Sequence, residues 1–288
     1  MKLPEAVAAG IQAHVGSVEG VDEVGGGCIS SARRVTIGGE AFFLKYDRGK
    51  PEDFFAVEAD GLRQLRLAGD RIRVPAVAAQ HEDPGGYGWL LLEWLEPITP
   101  PATAEADLGA ALAQLHQTRG PAWGWHRDGY IGSLPQSNRV QNDWPTFWWE
   151  ERLEPQLDRA LAAGLNEWGW DDLRVRLDVL LAPAGAEGPS LLHGDLWSGN
   201  VLFTGAGAAI IDPACYHGHR EVDLAMAELF GGFGRDFYRA YLDVWPLAPG
   251  WEIRRQIYQL YYLLVHVNLF GAGYVSRTES TLRSVLAA

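Results

Sequence analysis

The chain is short of the features that mark secreted, membrane and nucleic-acid-binding proteins. Its 288 residues hold two cysteines, Cys28 and Cys215, so no disulfide framework is expected and a reducing cytoplasm is the expected location. It lacks a charged N-terminal segment followed by a long apolar run, so no signal peptide is expected. Its most apolar stretch, Ile257 to Phe270, is broken by Gln259, His266 and Asn268 and is too short and too polar to span a bilayer. Basic residues are scarce: 24 Lys and Arg stand against 37 Asp and Glu, a net charge of −13. That disfavours nucleic acid and anionic membrane as partners, since both reward clustered Lys and Arg. It is compatible with a cationic substrate, although a solvated acidic surface is the commoner explanation. No internal repeat is present, and the small loop Ala182–Pro189 is the one low-complexity tract. With 47% apolar residues over this length, one large domain or two lobes can bury a core.

The strongest positive signal is the octapeptide His193-Gly194-Asp195-Leu196-Trp197-Ser198-Gly199-Asn200. Asp195 and Asn200 share the spacing of a protein-kinase catalytic loop, in which the Asp accepts a hydroxyl proton and the Asn holds magnesium. Two short apolar runs, Val201-Leu202-Phe203 and Ala209-Ile210-Ile211, flank the turn Thr204-Gly205-Ala206-Gly207. Such a hairpin delivers Asp212, where a second metal-holding carboxylate belongs. Phosphoryl transfer spreads charge over equatorial oxygens and gains most from positioning and cations. A carboxylate base (Asp195) and hard oxygen ligands (Asn200, Asp212) for Mg2+ suit ATP-dependent transfer to a hydroxyl. The competing reading is a set of capping and turn residues with no metal.

Upstream, residues 3–15 read as an amphipathic helix with Val7, Ile11 and Val15 on one stripe. Gly25-Gly26-Gly27-Cys28 precedes two β-like runs, 32–37 and 41–46, joined at Gly38-Gly39-Glu40. Those glycines permit close approach to phosphates but do not form G-x-G-x-x-G, so an ordinary turn competes. Lys45 ends the second run and is placed to reach ATP phosphates; Glu58, in a helical stretch 54–67, is placed to pair with it. Val74–Ala79 and Trp89–Trp94 read as further strands. Glu93-Trp94-Leu95, followed by Pro97, then leaves the sheet as a hinge whose backbone suits adenine. Thr103 opens a helix with Leu108, Leu112 and Leu115 buried. The segment 123–149 is dense in tryptophan and holds Gln136 and Asn138; Trp144 and Trp148 with these amides suit a sugar or a cation, with core packing as the alternative. After Asp212 the chain reads as helical over 221–229, 234–244 and 251–270. Cys215, His217 and His219 have the composition of a soft metal cluster, but a fourth ligand is not evident. Glu221 and Asp223 are expected to support the catalytic loop rather than to do chemistry. Cys28, near Arg33 and Arg34, is a candidate redox-sensitive thiol or an inert small residue.

Taken in order, these motifs resemble the fructosamine kinase (ketosamine-3-kinase) family from about residue 5 to the C-terminus. The resemblance lies in Gly25–Ser30, Trp125-His126, Tyr130–Ser133 with Gln136 and Asn138, His193–Asn200, Ile211–Ala214 and Glu221–Met226. The Trp between Asp195 and Asn200 and the Cys in the glycine loop are its specific points. Ser31-Ala32-Arg33-Arg34 departs from the acidic or polar residues and Gly that many relatives place there. The resemblance implies an α+β, two-lobed protein-kinase-like fold: an N-lobe (1–95) of antiparallel sheet plus helix that binds ATP, and a mainly helical C-lobe (96–288) for catalysis and substrate. It implies ATP-dependent phosphorylation of the 3-hydroxyl of a ketosamine and release of the amine, a deglycation. On that reading Asp195 is the base and Asn200 and Asp212 hold Mg2+. Gly25, Gly26, Gly27, Cys28, Lys45, Glu58, Glu93, Trp94 and Leu95 bind the nucleotide, and Trp197 flanks the substrate. The partner is a glycated amine or glycated protein, with no nucleic acid or membrane, and the protein acts as a monomer or weak dimer. A kinase of another small hydroxylated amine, aminoglycoside- or choline-kinase-like, and a non-catalytic nucleotide-binding regulator are the alternatives.

Overall fold

A computed structural model describes residues 2–25 and 30–288; Gly26, Gly27 and Cys28 lie outside the described residues. The chain forms two compact units: Met1–Ala104 with Val201–Pro213, and Glu105–Asn200 with Ala214–Ala288. The hairpin that carries Asp212 therefore belongs with the N-terminal sheet, although it lies beyond residue 200 in the chain.

The first unit opens with helix α1 (Glu5–His14) and strands β1 (Val18–Glu23), β2 (Ser31–Ile37) and β3 (Glu40–Arg48). Helix α2 (Phe54–Leu67), β4 (Val77–His81) and β5 (Tyr87–Glu93) complete an antiparallel sheet ordered β1-β2-β3-β5-β4. Gly38 and Gly39 make the two-residue turn between β2 and β3; both have positive φ, 59° and 79°, the twist that tight hairpins need. Side chains alternate along β3. Leu44 and Tyr46 point to one face, with their cross-strand partners Leu91 and Trp89, and there pack with Val7 and Ile11 of α1. Lys45, paired across to Leu90, points to the opposite face, where α2 lies. That alternation is how one strand serves both a core and a site. β1 is absent from the sequence reading because Val18-Glu19-Gly20-Val21-Asp22-Glu23 offers only two apolar residues.

Strands β6 (Gly129–Ile131) and β7 (Leu134–Gln136) form a hairpin in the second unit, after helix α3 (Ala104–Leu115). Then come α4 (Trp144–Trp148), a π turn at Trp149–Leu153, α5 (Glu154–Ala162), α6 (Trp170–Leu180) and α7 (Ala182–Glu187). The stretch 182–189, read as a loop, is thus mostly helix. β8 (Ser190–Leu192) leads into the catalytic loop, and the β9 (Val201–Thr204) and β10 (Gly207–Ile210) hairpin follows it. β11 (Tyr216–Gly218) returns to pair with β8. Helices α8 (Glu221–Leu229), α9 (Arg235–Val244), α10 (Trp251–Phe270) and α11 (Val275–Ala287) finish the unit. α10 is its spine: Ile257, Tyr258, Leu260, Leu263 and Leu264 are fully buried. None of the described helices is long and apolar enough to cross a membrane.

Two helical glycines separate packing from propensity. A Cβ on Gly10 of α1 would sit 2.8 Å from Nε1 of the buried Trp89, whereas one on Gly185 of α7 would meet nothing within 4 Å. Alanine gains about 1 kcal/mol of helix propensity at either site, but at Gly10 overpacking of about 1–3 kcal/mol opposes it. Gly185→Ala should raise the urea midpoint and Gly10→Ala should lower it. A rise in both would show that α1 yields to accommodate the methyl.

Candidate active site

The first unit contributes a buried cation between two carboxylates. Lys45 Nζ donates to Glu58 Oε1 and to Asp212 Oδ1, each at 2.7 Å. Burial alone pulls the Lys45 ammonium down; the Asp212 and Glu58 charges outweigh it and hold it above its ordinary value. Burial, with the repulsion from Asp212, pushes the Glu58 carboxyl up despite Lys45. Asp212 is the one non-glycine among the described residues with positive φ, 56°. A left-handed non-glycine residue costs on the order of 1–3 kcal/mol and is found where a site requires it. Its hairpin is tied to the sheet unit by backbone bonds: Arg73 N–H to Ala208 O (2.9 Å), Ile210 N–H to Arg73 O (3.0 Å) and Ile98 N–H to Phe203 O (2.8 Å).

Arg73 also grips the end of β5, through an ion pair between its guanidinium and the Glu93 carboxylate. That carboxylate accepts from Ala76 N–H at 3.1 Å, and the Glu93 N–H is spent on Ala76 O at 2.8 Å. Of the expected adenine hinge Glu93-Trp94-Leu95, the Glu93 N–H is thus used by the fold, and the Glu93 side chain, through Arg73, anchors the Asp212 hairpin. Trp94 lies under Arg34, 5.3 Å from guanidinium carbon to ring centroid, with its Nε1–H on Glu96, and Leu95 is buried.

In the second unit, the loop 193–200 is held at successive backbone groups. Asp223, fully buried on α8, accepts from His193 N–H and Gly194 N–H, both at 2.8 Å. His116 Nε2 lies 3.1 Å from the same carboxylate, and its Nδ1 lies 2.8 Å from Tyr241 Oη. Burial would raise the Asp223 carboxyl, but the bonds and charge from His116, the His193 charge and the Gly194 N–H hold it below the usual carboxylate range. Tyr262 Oη donates to Gly194 O at 2.7 Å. Gly194 has φ 82°, and a side chain there would run into the Ala214 carbonyl, so only glycine fits. Asn200 Nδ2 donates to Asp195 O at 2.8 Å and lies 3.3 Å from Asp195 Oδ2. With its nitrogen so committed, Asn200 is left its amide oxygen for a cation. Asp212, with Oδ1 on Lys45, has a second carboxylate oxygen. Hard oxygens of this kind fit Mg2+.

The expected substrate residues divide. Trp197 is 38% exposed and its ring lies over Gly199. Gln136 is buried, donating to Ala214 O and accepting from Tyr261 Oη. Asn138 is buried, donating to Arg127 O and accepting from Arg152. Trp144 and Trp148 are fully buried among Phe147, Tyr258 and Tyr261. These four are corrected from substrate contacts to core: each is consumed by internal packing or hydrogen bonding. Asn268, on the late helix, likewise donates to Gln156.

No soft metal cluster forms among Cys215, His217 and His219. His217 packs edge-on against Trp125 and His219 bonds Tyr258 and Glu187. Glu187, His219 and Glu221 do converge, but Arg220 pairs with Glu187 and Arg254 with Glu221, so the carboxylates already have cations. Sequence reasoning missed His116, Tyr241 and Tyr262, which fix the loop. The available signal was a tyrosine pair, Tyr261-Tyr262, inside an apolar helix, since a buried hydroxyl needs a partner.

A lysine held by a helix glutamate on an antiparallel sheet, and a loop aspartate backed by an asparagine, belong to the protein-kinase-like phosphotransferases. Within that class, the sequence profile of the fructosamine kinase family matches residues 4–288, and the chain belongs to that family. It is 41% identical over 265 residues to a protein of Enterococcus faecium named "Probable ketoamine kinase", covering 90% of this chain and 92% of that one. It is 36% identical over 275 residues to the chloroplastic protein-ribulosamine 3-kinase of Arabidopsis thaliana, covering 92% and 82%. A solved fructosamine-3-kinase-like protein of Thermobifida fusca superposes with a TM-score of 0.87 at 38% identity, covering 99% of this chain and all of that one. An aminoglycoside phosphotransferase, at 18% identity and a TM-score of 0.62, over 96% and 98%, shares the fold alone.

One histidine of the second unit sets an acid limit on stability. Burial, helped by the His126 charge, lowers His217 from its ordinary 6.5 to about 4. As pH falls below 6.5 the unfolded chain takes up this proton and the folded chain does not, so stability is lost down to about pH 4. His217→Gln should flatten the unfolding free energy over that window, measured by urea titration at half-unit pH steps. An unchanged slope would remove His217 from the acid limb.

Proposed function

We propose that this protein transfers the γ-phosphoryl group of ATP to the 3-hydroxyl of a ketosamine, a sugar adduct on an amine, and so starts release of the amine. The observation that carries the reading is the Asp195–Asn200 loop, pinned by Asp223 and Tyr262 in a chain of the fructosamine kinase family. Asp195 accepts the hydroxyl proton as the sugar oxygen bonds to the γ-phosphorus and the bond to the ADP oxygen breaks. Lys45, kept charged and aimed by Glu58 and Asp212, pairs with the nucleotide phosphates. Asn200 and Asp212 are the residues that would hold Mg2+, whose charge offsets that of the phosphates. The backbone of Trp94 and Leu95 is left for adenine, and Trp197 flanks the sugar. Glycated amines, free or on protein, are the proposed partners, and the cytoplasm, which suits a chain with only two cysteines, the proposed location. Family membership favours this over an aminoglycoside or choline acceptor.

A coupled ADP-release assay over fructosyl- and ribulosyl-amines, an aminoglycoside and choline tests the assignment. Turnover confined to the aminoglycoside or choline would overturn it. Asp195→Asn should retain nucleotide binding and lose about two or more orders of magnitude in kcat. Full activity in that variant would remove Asp195 as the base.

A further inference from the structure

Helix α10 does more than hold the catalytic loop. Tyr262, His266 and Phe270 are four residues apart, so they form one row along the helix, rising about 6 Å per step. The row starts at the loop itself, where Tyr262 Oη bonds Gly194 O. It continues with His266, whose Nδ1 lies 2.7 Å from Tyr262 O, and ends at Phe270, 57% exposed. Phe230, 37% exposed, lies on the His266 ring at 4.5 Å between centroids. Tyr274 packs on His266 at 4.9 Å and on Phe270 at 6.2 Å. The patch also reaches the loop by a second route: a side chain on Gly232, two residues after Phe230, would overlap Ser198 of the loop. Exposed aromatic side chains gathered beside a catalytic loop are unusual on a surface with no recognition task.

The geometry points to this shelf as the seat of the carrier amine, specifically the lysine stem and flanking peptide of a glycated peptide. The inference rests on the ketosamine reading. If the sugar hydroxyl lies at Asp195, the amine at the other end of the adduct must lead away from it. Tyr262 is itself buried, and beyond it His266, Phe270, Phe230 and Tyr274 form an aromatic surface leading out from that loop. The rings suit methylenes and basic groups together: the Arg277 guanidinium already lies 5.7 Å from the Phe230 centroid, and the acidic chain, at −13, favours a basic carrier. Trp197 and Asp195 would meet the sugar, and the shelf would grade adducts by what the sugar is attached to.

The test compares two ketosamines on the same enzyme, one on methylamine and one on the side chain of Nα-acetyl-lysine amide, each as its fructosyl and its ribulosyl form. Phe270→Ala and Tyr274→Ala should raise KM for the lysyl adduct about tenfold, the scale of losing partial burial of a four-methylene stem. Their kcat, and both constants for the methylamine adduct, should be unchanged. Phe270→Lys, which repels a basic carrier at an exposed position, should raise the lysyl KM further. Equal KM changes for both adducts, or none for either, would overturn the shelf. A parent protein that turns over neither adduct would instead bring down the ketosamine reading on which it rests.

Discussion

A carboxylate sealed from water must have every charge-bearing oxygen bonded, and Asp223 meets that demand with the backbone of the catalytic loop. Its two oxygens take the N–H groups of His193 and Gly194, and His116 supplies a third donor. Because a carboxylate only accepts, His116 must present N–H at Nε2, which leaves Nδ1 to accept from the Tyr241 hydroxyl. Burial, with the Arg220 and His219 charges, lowers His116 from its ordinary value, against the bond and charge of Asp223. The chain of partners runs from α9 through α3 and α8 to the loop, so helices distant in sequence agree on one backbone conformation. On the proposed reading, Asp195 is then presented by a scaffold that does not have to reorganise at the moment of proton transfer, which is where electrostatic catalysis gains most.

The sheet unit solves a different problem. Lys45 sits between two carboxylates, so the three charged groups sum to −1. Lys45 and Glu58 are largely buried, while the Asp212 side chain is 36% exposed. The excess negative charge suits a divalent cation, and the ammonium suits phosphate. The raised carboxyl of Glu58 and the left-handed backbone of Asp212 are local strains of the sort that a site retains. Arg73 extends this arrangement, joining the Asp212 hairpin by its backbone and the end of β5 by its guanidinium. The segment read as an adenine hinge and the segment read as a metal loop are thus mechanically one piece.

Much of this was legible in the sequence where spacing alone sets geometry. Asp195, Asn200 and the turn before Asp212 lie within twenty residues, and Lys45 and Glu58 fall on a strand and helix whose patterns are clear. The late helices 221–229 and 251–270 were read with the bounds the structure has, because their apolar residues recur at helical intervals. What failed is what depends on tertiary partners. Trp144 and Trp148 carry the same side chain as Trp197, yet only Trp197 reaches the surface; no local pattern distinguishes them, since the difference is made by Tyr258 and Tyr261 more than a hundred residues away. The partners of Glu93, Arg73 and Ala76, are likewise set by the tertiary fold. Val18–Glu23 was missed because an edge strand with three acids and only two apolar residues has little apolar signal to read.

The tyrosines of α10 show why buried and exposed aromatics should be read by helix face rather than by density. Tyr258 and Tyr261 turn inward to Trp144 and Gln136, filling the core that the tryptophan-rich segment wraps. Tyr262 turns to the catalytic loop, and the residues four and eight further on follow it outward. A single rigid helix therefore fixes both the reach from the loop carbonyl to the solvent and the identity of the side chains along it. Placing recognition on a helix that also holds the loop keeps the two in constant register, which a mobile surface loop could not do. The same rigidity means that a change at Tyr262 moves catalysis and recognition together, while a change at Phe270, two turns away and exposed, acts on recognition alone.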